Sequence, residues 1–267
     1  MNERDWDAVA ARFEQEIFNV PANDRKGLIK ALVERFASPQ GTAADLGCGI
    51  GRTLPLLAAH FGHVHAVEFS TECLAIARRK HRRLKNVDYL YNDLTRDPVP
   101  VPDVDLVLCI NTLLLADLPQ RMAMWSHMCA CVKPGGRLIL VVPSVESALL
   151  TRHRQAQWDL RIGVARAPSA TPAMEHGVVM IDGAPTKHYL REGISDLLRS
   201  HGFDADEPEK LEYDWSTEFA HPPKWMQAPY PWDWLVCARR ATGRPIRAKR
   251  PSTTHWPSAA SPTPHLR

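Results

Sequence analysis

The sequence predicts a doubly wound, mainly parallel α/β sheet of seven strands, with a helical cap ahead of it and an insertion after the fifth strand. Three observations point there. From Thr42 to Val142 apolar strand-like runs alternate with helical ones, the pattern of a parallel sheet with helices on both faces. Two of the runs, Leu106 to Ile110 and Leu138 to Val142, are apolar at every position, as strands buried on both faces must be. A glycine-rich loop, Gly47-Cys48-Gly49-Ile50-Gly51, sits where the first strand gives way to a helix.

In chain order, Trp6, Val9, Ala10, Phe13 and Ile17 recur at spacings of three and four, and a second amphipathic segment runs from about Asp24 to Phe36. Both predict helix. Pro39, Gln40 and Gly41 break the pattern. Strands are then expected at 43–46, 64–68, 87–91, 104–110 and 137–142, with helices at 52–61, 71–84 and 120–132. After Pro143, residues 146–160 read as a helix. His176 to Ile181 and Ala184 to Leu190 flank Asp182-Gly183, a pair that supplies the positive φ angles of a tight hairpin turn. A helix at 191–200 ends near Gly202, and closing strands are expected at 209–215 and 233–239. The expected organisation is one domain over 1–240: a cap at 1–40, a ligand-binding half at 42–143, and a covering and closing part at 144–240. Residues 241–267, with five prolines and few apolar groups, predict a disordered tail.

The composition, 45% hydrophobic and 24% charged over 267 residues, excludes disordered and fibrous classes. No run approaches the ~18 apolar residues of a membrane span, and the first ten residues lack the pattern of a secretion signal. No membrane association and a cytoplasmic location are expected. The net charge is +3, but the tail holds five bases and no acid, which leaves the rest at −2. A nucleic-acid partner is therefore not expected, since it calls for Lys and Arg gathered on a folded face. The six cysteines, at 48, 73, 109, 129, 131 and 237, form no CxxC pair and no Cys/His array with zinc spacing. They read as reduced thiols, and no metal site is expected.

The loop Ala44-Asp45-Leu46-Gly47-Cys48-Gly49-Ile50-Gly51-Arg52 carries the chemistry. Glycines let a ligand approach the backbone, and the following helix N-terminus offers free N–H groups. The dinucleotide pattern GxGxxG fails because its third small position is Arg52, and the phosphate-binding GxxxxGK[ST] is absent. An acid followed by GxGxG remains. It resembles motif I of the class I S-adenosylmethionine-dependent methyltransferases, with their Rossmann-like fold. The second strand ends in Glu68, 21 residues after Gly47; the third is followed by Asn92-Asp93-Leu94; the fourth leads to Asn111; Lys133-Pro134-Gly135-Gly136 precedes the fifth. The resemblance spans about Ala43 to Val142. It implies that S-adenosyl-L-methionine is the cofactor, held by Asp45, Gly47, Cys48, Gly49, Gly51, Glu68, Asp93, Leu94 and Asn111. Glu68 would take the ribose hydroxyls, and its removal is expected to leave stability nearly unchanged.

Methyl transfer is an in-line displacement, so positioning dominates and is worth roughly 7–11 kcal/mol. No catalytic residue is identified by the sequence. Trp6 or Phe13 of the cap is a candidate for the methionine end of the cofactor, and His153, His176 and His188 are candidate bases. Trp215, Trp225, Tyr230, Trp232 and Trp234 are candidates for an aromatic wall. Base amino-methylating enzymes use Asp/Asn-Pro-Pro-aromatic, whereas Asn111 is followed by Thr112-Leu113-Leu114. The expected acceptor is a small molecule methylated on O, N or S. The alternatives are a protein or peptide acceptor, or a catalytically silent cofactor-binding subunit.

Overall fold

The computed structural model describes residues 3–101, 103–162, 177–181 and 183–242. His176, Asp182 and the tail beyond residue 242 lie outside the described residues. Five parallel strands form the body of the sheet: β1 (Ser38–Leu46), β2 (Phe61–Glu68), β3 (Val87–Tyr91), β4 (Val104–Ile110) and β5 (Val132–Pro143). A hairpin of β6 (Val178–Ile181) and β7 (Ala184–Lys187) stands apart. Three further strands, β8 (Phe203–Ala205), β9 (Glu209–Glu212) and β10 (Trp232–Arg240), complete the sheet in the order β3-β2-β1-β4-β5-β10-β8, with β9 also on β10. β10 runs antiparallel to β5, and its other edge pairs with β8 at Ala238–Arg240 and β9 at Trp232–Leu235. Eight strands thus fill seven positions. The expected count of seven missed β8, a three-residue strand.

The order reverses direction between β1 and β4, which opens a crevice beyond their C-terminal ends. One face of the sheet packs against α7 (Leu118–Cys131) and α9 (Arg191–Ser200), through Trp125, Met128, Ile194 and Leu198. The other packs against α4 (Leu28–Arg35), α5 (Leu54–His60) and α6 (Thr71–Lys80), through Ile29, Val33, Leu54, Leu57 and Ala77. Polar side chains cap two of these helices, α6 and α7. Ser70 Oγ accepts from the Cys73 N–H at 3.1 Å, and Asp117 Oδ1 from the Gln120 N–H at 2.9 Å with Pro119 in the first turn, each satisfying a donor that has no partner within its helix.

The cap is four helices rather than two: α1 (Glu3–Ala10), α2 (Phe13–Glu16), α3 (Val20–Asn23) and α4. Pro39-Gln40-Gly41, expected to lie outside regular structure, belongs to the irregular start of β1, with Pro39 and Gln40 exposed and Gly41 buried. After β5 come α8 (Val145–Arg161) and the β6–β7 hairpin, whose Gly183 has φ +81°. The hairpin is tied down where the Lys187 N–H donates to the Leu114 carbonyl at 2.8 Å. α9 has its expected bounds, and Gly202 beyond it has φ +81°. The strand expected at 209–215 stops at Glu212, and Trp215–Thr217 forms a 3₁₀ turn. All six cysteines are buried and free, and no described helix is long and apolar enough to cross a membrane.

Candidate functional site

The glycine loop hangs from the end of β2: the Gly47 and Cys48 N–H groups both donate to the Val67 carbonyl, at 2.8 and 3.1 Å. Gly47 has φ +75°, and a Cβ there would collide with the Thr112 side chain, whose hydroxyl bonds the Leu46 carbonyl. At Gly49, φ +52°, a Cβ would lie 2.7 Å from the tip of the Phe13 ring. Only glycine therefore allows the cap to close on the loop.

Two buried carboxyls organise this loop. Asp45, 3% exposed, accepts from the Thr53 hydroxyl. Burial pushes its carboxyl up to about 7, opposed by that bond and reinforced by the neighbouring charge of Glu68. Glu68, 7% exposed, accepts three backbone N–H groups: Gly49 at 2.9 Å on Oε2, and Phe69 at 2.9 Å and Ser70 at 3.0 Å on Oε1. Burial raises its pKa, and the three bonds oppose the shift. The expectation that Glu68 matters little to stability is corrected here. Its carboxylate joins the glycine loop to the turn after β2.

Asp93 Oδ1 accepts from the Thr95 N–H and hydroxyl, at 2.9 and 2.7 Å, beside the buried Leu94. Asn111 has φ +47°, and its Nδ2 donates at 2.9 Å to Asp233 Oδ2, which also takes the Tyr213 hydroxyl at 2.6 Å. The amide oxygens of Asn92 and Asn111 are both buried without a hydrogen-bond partner among the described residues.

These residues surround a cavity of about 690 Å³. Eight of the nine residues named from the sequence line it, and Gly51 is the exception. Gly51 serves the turn instead, since a Cβ there would lie 2.7 Å from Leu54 and 2.9 Å from His81. The cap contributes Trp6, Phe13 and Ile17, and the hairpin contributes Ala184, Pro185 and Thr186.

Arg52, Thr53 and Asn92 line the cavity without having been named as site residues from the sequence, whereas the hairpin residues fall in the part expected to cover the substrate. Arg52, the residue that breaks the dinucleotide pattern, donates to the Phe13, Ile17 and Phe18 carbonyls at 3.2, 2.9 and 3.0 Å and to Glu14 at 3.0 Å. The candidate bases do not converge on the cavity. His188 is buried with Nδ1 3.0 Å from the Thr186 carbonyl, His153 is exposed on α8, and no histidine among the described residues lines the cavity. The five aromatic-wall candidates do not line it either. Trp232 and Trp234 pack edge to face at 5.8 Å, Trp215 packs on Phe219, and Trp225 and Tyr230 lie under Arg161 and Arg25.

Comparison with known proteins gives the same assignment. Residues 43–136 match the family model described as a methyltransferase domain. A demethylmenaquinone methyltransferase of Clavibacter sepedonicus is 28% identical over 176 residues, 62% of this chain and 67% of that protein. The fold matches that of DhpI in its S-adenosylhomocysteine complex with a TM-score of 0.57 and 17% identity, covering 90% of this chain and 96% of the other. It also matches magnesium protoporphyrin IX methyltransferase of Synechocystis PCC 6803 with bound S-adenosylhomocysteine, at a TM-score of 0.51 and 16% identity, covering 90% and 83%. With the matched domain model, the acid-GxGxG loop and the parallel strands of the doubly wound sheet coinciding, residues 43–136 are a methyltransferase domain, and the fold built around them is that of the S-adenosylmethionine-dependent methyltransferases it matches.

Proposed function

We propose that the chain transfers a methyl group from S-adenosyl-L-methionine to O, N or S of a small-molecule acceptor. The observation that carries this reading is the cavity: at about 690 Å³ it falls within the roughly 300–1,000 Å³ of small-ligand sites. It is bounded by the cap and the hairpin. That enclosure favours a compact acceptor over a polypeptide, and the curated relative and the protoporphyrin enzyme are both named for small acceptors.

The residues present fit the cofactor. Gly47 and Gly49 leave a cradle that a Cβ would fill, and the unpartnered oxygens of Asn92 and Asn111 suit donors such as an exocyclic amine or an ammonium. Glu68 spends three of its roughly four acceptor positions on backbone N–H groups. One position remains for a ribose hydroxyl, so engaging both would cost the Gly49 bond. When bound, the cofactor supplies an electrophilic methyl on a sulfonium. The chain's own work is to orient and enclose: Asp45 and Thr53 set the loop, Glu68 fixes its height over β2, and Phe13 and Trp6 exclude water from one side.

The test has two parts. Calorimetry should show binding of S-adenosylhomocysteine and none of NADH. Incubation with methyl-labelled cofactor and a metabolite extract should then place label in the small-molecule fraction. Label retained on protein would instead select the peptide-acceptor reading, and no transfer with intact binding would select the silent subunit.

A further inference from the structure

The connection from β3 to β4 contains no helix among the described residues. In a doubly wound sheet each such connection supplies a helix that covers one face. Along β2, Val64 and Ala66 face the α4–α6 core while Val67 belongs to the α7–α9 core, so strand alternation places His63 and His65 on the Val67 face. There, at the β2–β3 end of the sheet, the side chains are polar. His63 and His65 are partly exposed and Asp88, directly opposite His65 in the parallel register, is exposed.

The three side chains converge. His63 Nε2 lies 3.0 Å from Asp88 Oδ2, the two imidazole centroids are 4.6 Å apart, and one ligand-type atom from each residue lies within 4.8 Å of the others. His65 Nδ1 is buried with no hydrogen-bond partner among the described residues. Tetrahedral zinc, with bonds of about 2.0–2.2 Å, holds its ligands about 3.3 Å apart. The His63–Asp88 pair already meets that spacing. His65 needs only a side-chain adjustment.

We propose that His63, His65 and Asp88 form a site for a divalent transition metal ion on the open face of the sheet, separate from the methyl-transfer cavity. Two imidazoles and one carboxylate suit Zn²⁺, Ni²⁺, Co²⁺ or Cu²⁺ and disfavour Mg²⁺ and Ca²⁺, which take oxygen ligands. Three protein ligands leave coordination positions for water. No residue of the triad lines the cavity, so the ion takes no part in methyl transfer. Its role is mechanical: β3 is the edge strand, five residues long with none buried, and a bound ion would clip it to β2.

Calorimetric titration of the full chain with Zn²⁺ alone, with Mg²⁺ as the control, tests this. One equivalent of Zn²⁺ should bind and Mg²⁺ should not, and Asp88→Asn and His63→Gln should each weaken Zn²⁺ binding at least ~10-fold, since even outer-shell partners of a metal are worth 10–100-fold. A Cu²⁺-loaded sample should show coupling to two imidazole nitrogens by electron paramagnetic resonance, reduced to one in His63→Gln. Asp88 is exposed, so Asp88→Asn retains the fold, which S-adenosylhomocysteine binding verifies. Zn²⁺ affinity unchanged in both variants, or no Zn²⁺ binding by the natural chain, would overturn the proposal. A hydrogen-bonded contact between His63 and Asp88 is then all that the cluster represents.

Discussion

The guanidinium of Arg52 lies over the ring of Phe13, 4.9 Å from its centroid, while its Nη2 donates to the Phe13 carbonyl at 3.2 Å. One side chain of the glycine loop thereby holds both the ring and the backbone of the cap residue that borders the cavity. With the Ile17 and Phe18 carbonyls also bonded, the C-terminal end of α2 is latched to the loop.

Arg52→Ala should therefore release the cap while the sheet stays folded. The expected outcome is an apparent S-adenosylhomocysteine affinity weaker by about tenfold or more, because a cap closed in a tenth of molecules weakens apparent binding in that proportion. Hydrogen exchange over residues 3–20 should rise, with little change in the α7–α9 core. Arg52→Lys keeps the charge but loses the planar fork, and should fall between. Unchanged exchange in the cap would show that the latch carries no energy.

Glu68→Ala should lower both cofactor affinity and stability. Three buried or half-buried N–H groups lose their acceptor, at about 1–3 kcal/mol each when left unpaired. A loss of about 3 kcal/mol would lower the melting temperature by roughly 6–12 °C in a domain of this size. Thermal unfolding of the cofactor-free protein checks this directly, and a melting temperature within a degree of the natural chain would contradict it.

Asp45→Asn should stabilise the cofactor-free protein at alkaline pH. The Asp45 carboxyl is raised from an ordinary 3.8 to about 7 by burial, so folding favours its protonated form. Stability is unaffected by this group below pH ~4, falls as pH climbs through the interval, and is lowest above 7. The asparagine removes that dependence, giving up to about 4 kcal/mol at pH 8 at 1.36 kcal/mol per pH unit. Denaturant titrations at pH 5 and pH 8 test the sign: an advantage for Asp45→Asn that grows toward acid pH would refute it.

Truncation after Thr242 should leave both the thermal transition and S-adenosylhomocysteine binding essentially unchanged. The Ala241 N–H still donates to the Gly202 carbonyl at 3.0 Å in the shortened chain, so β10 retains its termination. Loss of turnover on an acceptor with cofactor binding intact would assign the tail a recruiting role.

What could be seen in the sequence was whatever repeats a local rule. Leu106–Ile110 of β4 and Leu138–Val142 of β5 are apolar at every position, and α9 shows its periodicity and a terminating Gly202. The end of the second strand at Glu68 was legible because its spacing from Gly47 is local to one β–α–β unit. Relationships made by distant chain were not visible: Asn111 meets Asp233 across 122 residues, and Arg52 meets the cap 34 to 39 residues away. β8 is three residues that become strand only because β10 presents an edge. The balance of −2 outside the tail also hides a local run, since Arg78, Arg79, Lys80, Arg82, Arg83 and Lys85 are all exposed around the end of α6.

The position of β10 governs the order of assembly during synthesis. β10 is the last described strand in the chain yet has neighbours on both edges, so β5 stays unpaired on one side until residue 240 has left the ribosome. At about 5–20 residues per second, the roughly 100 residues separating the ends of β5 and β10 take on the order of 5–20 s to make. Throughout that interval the apolar Leu138–Val142 edge is open to pairing with another chain. A nascent-chain force assay should accordingly register the final folding pull only after β10 emerges, and chains stopped between Pro143 and Trp232 should aggregate rather than fold to a smaller native unit.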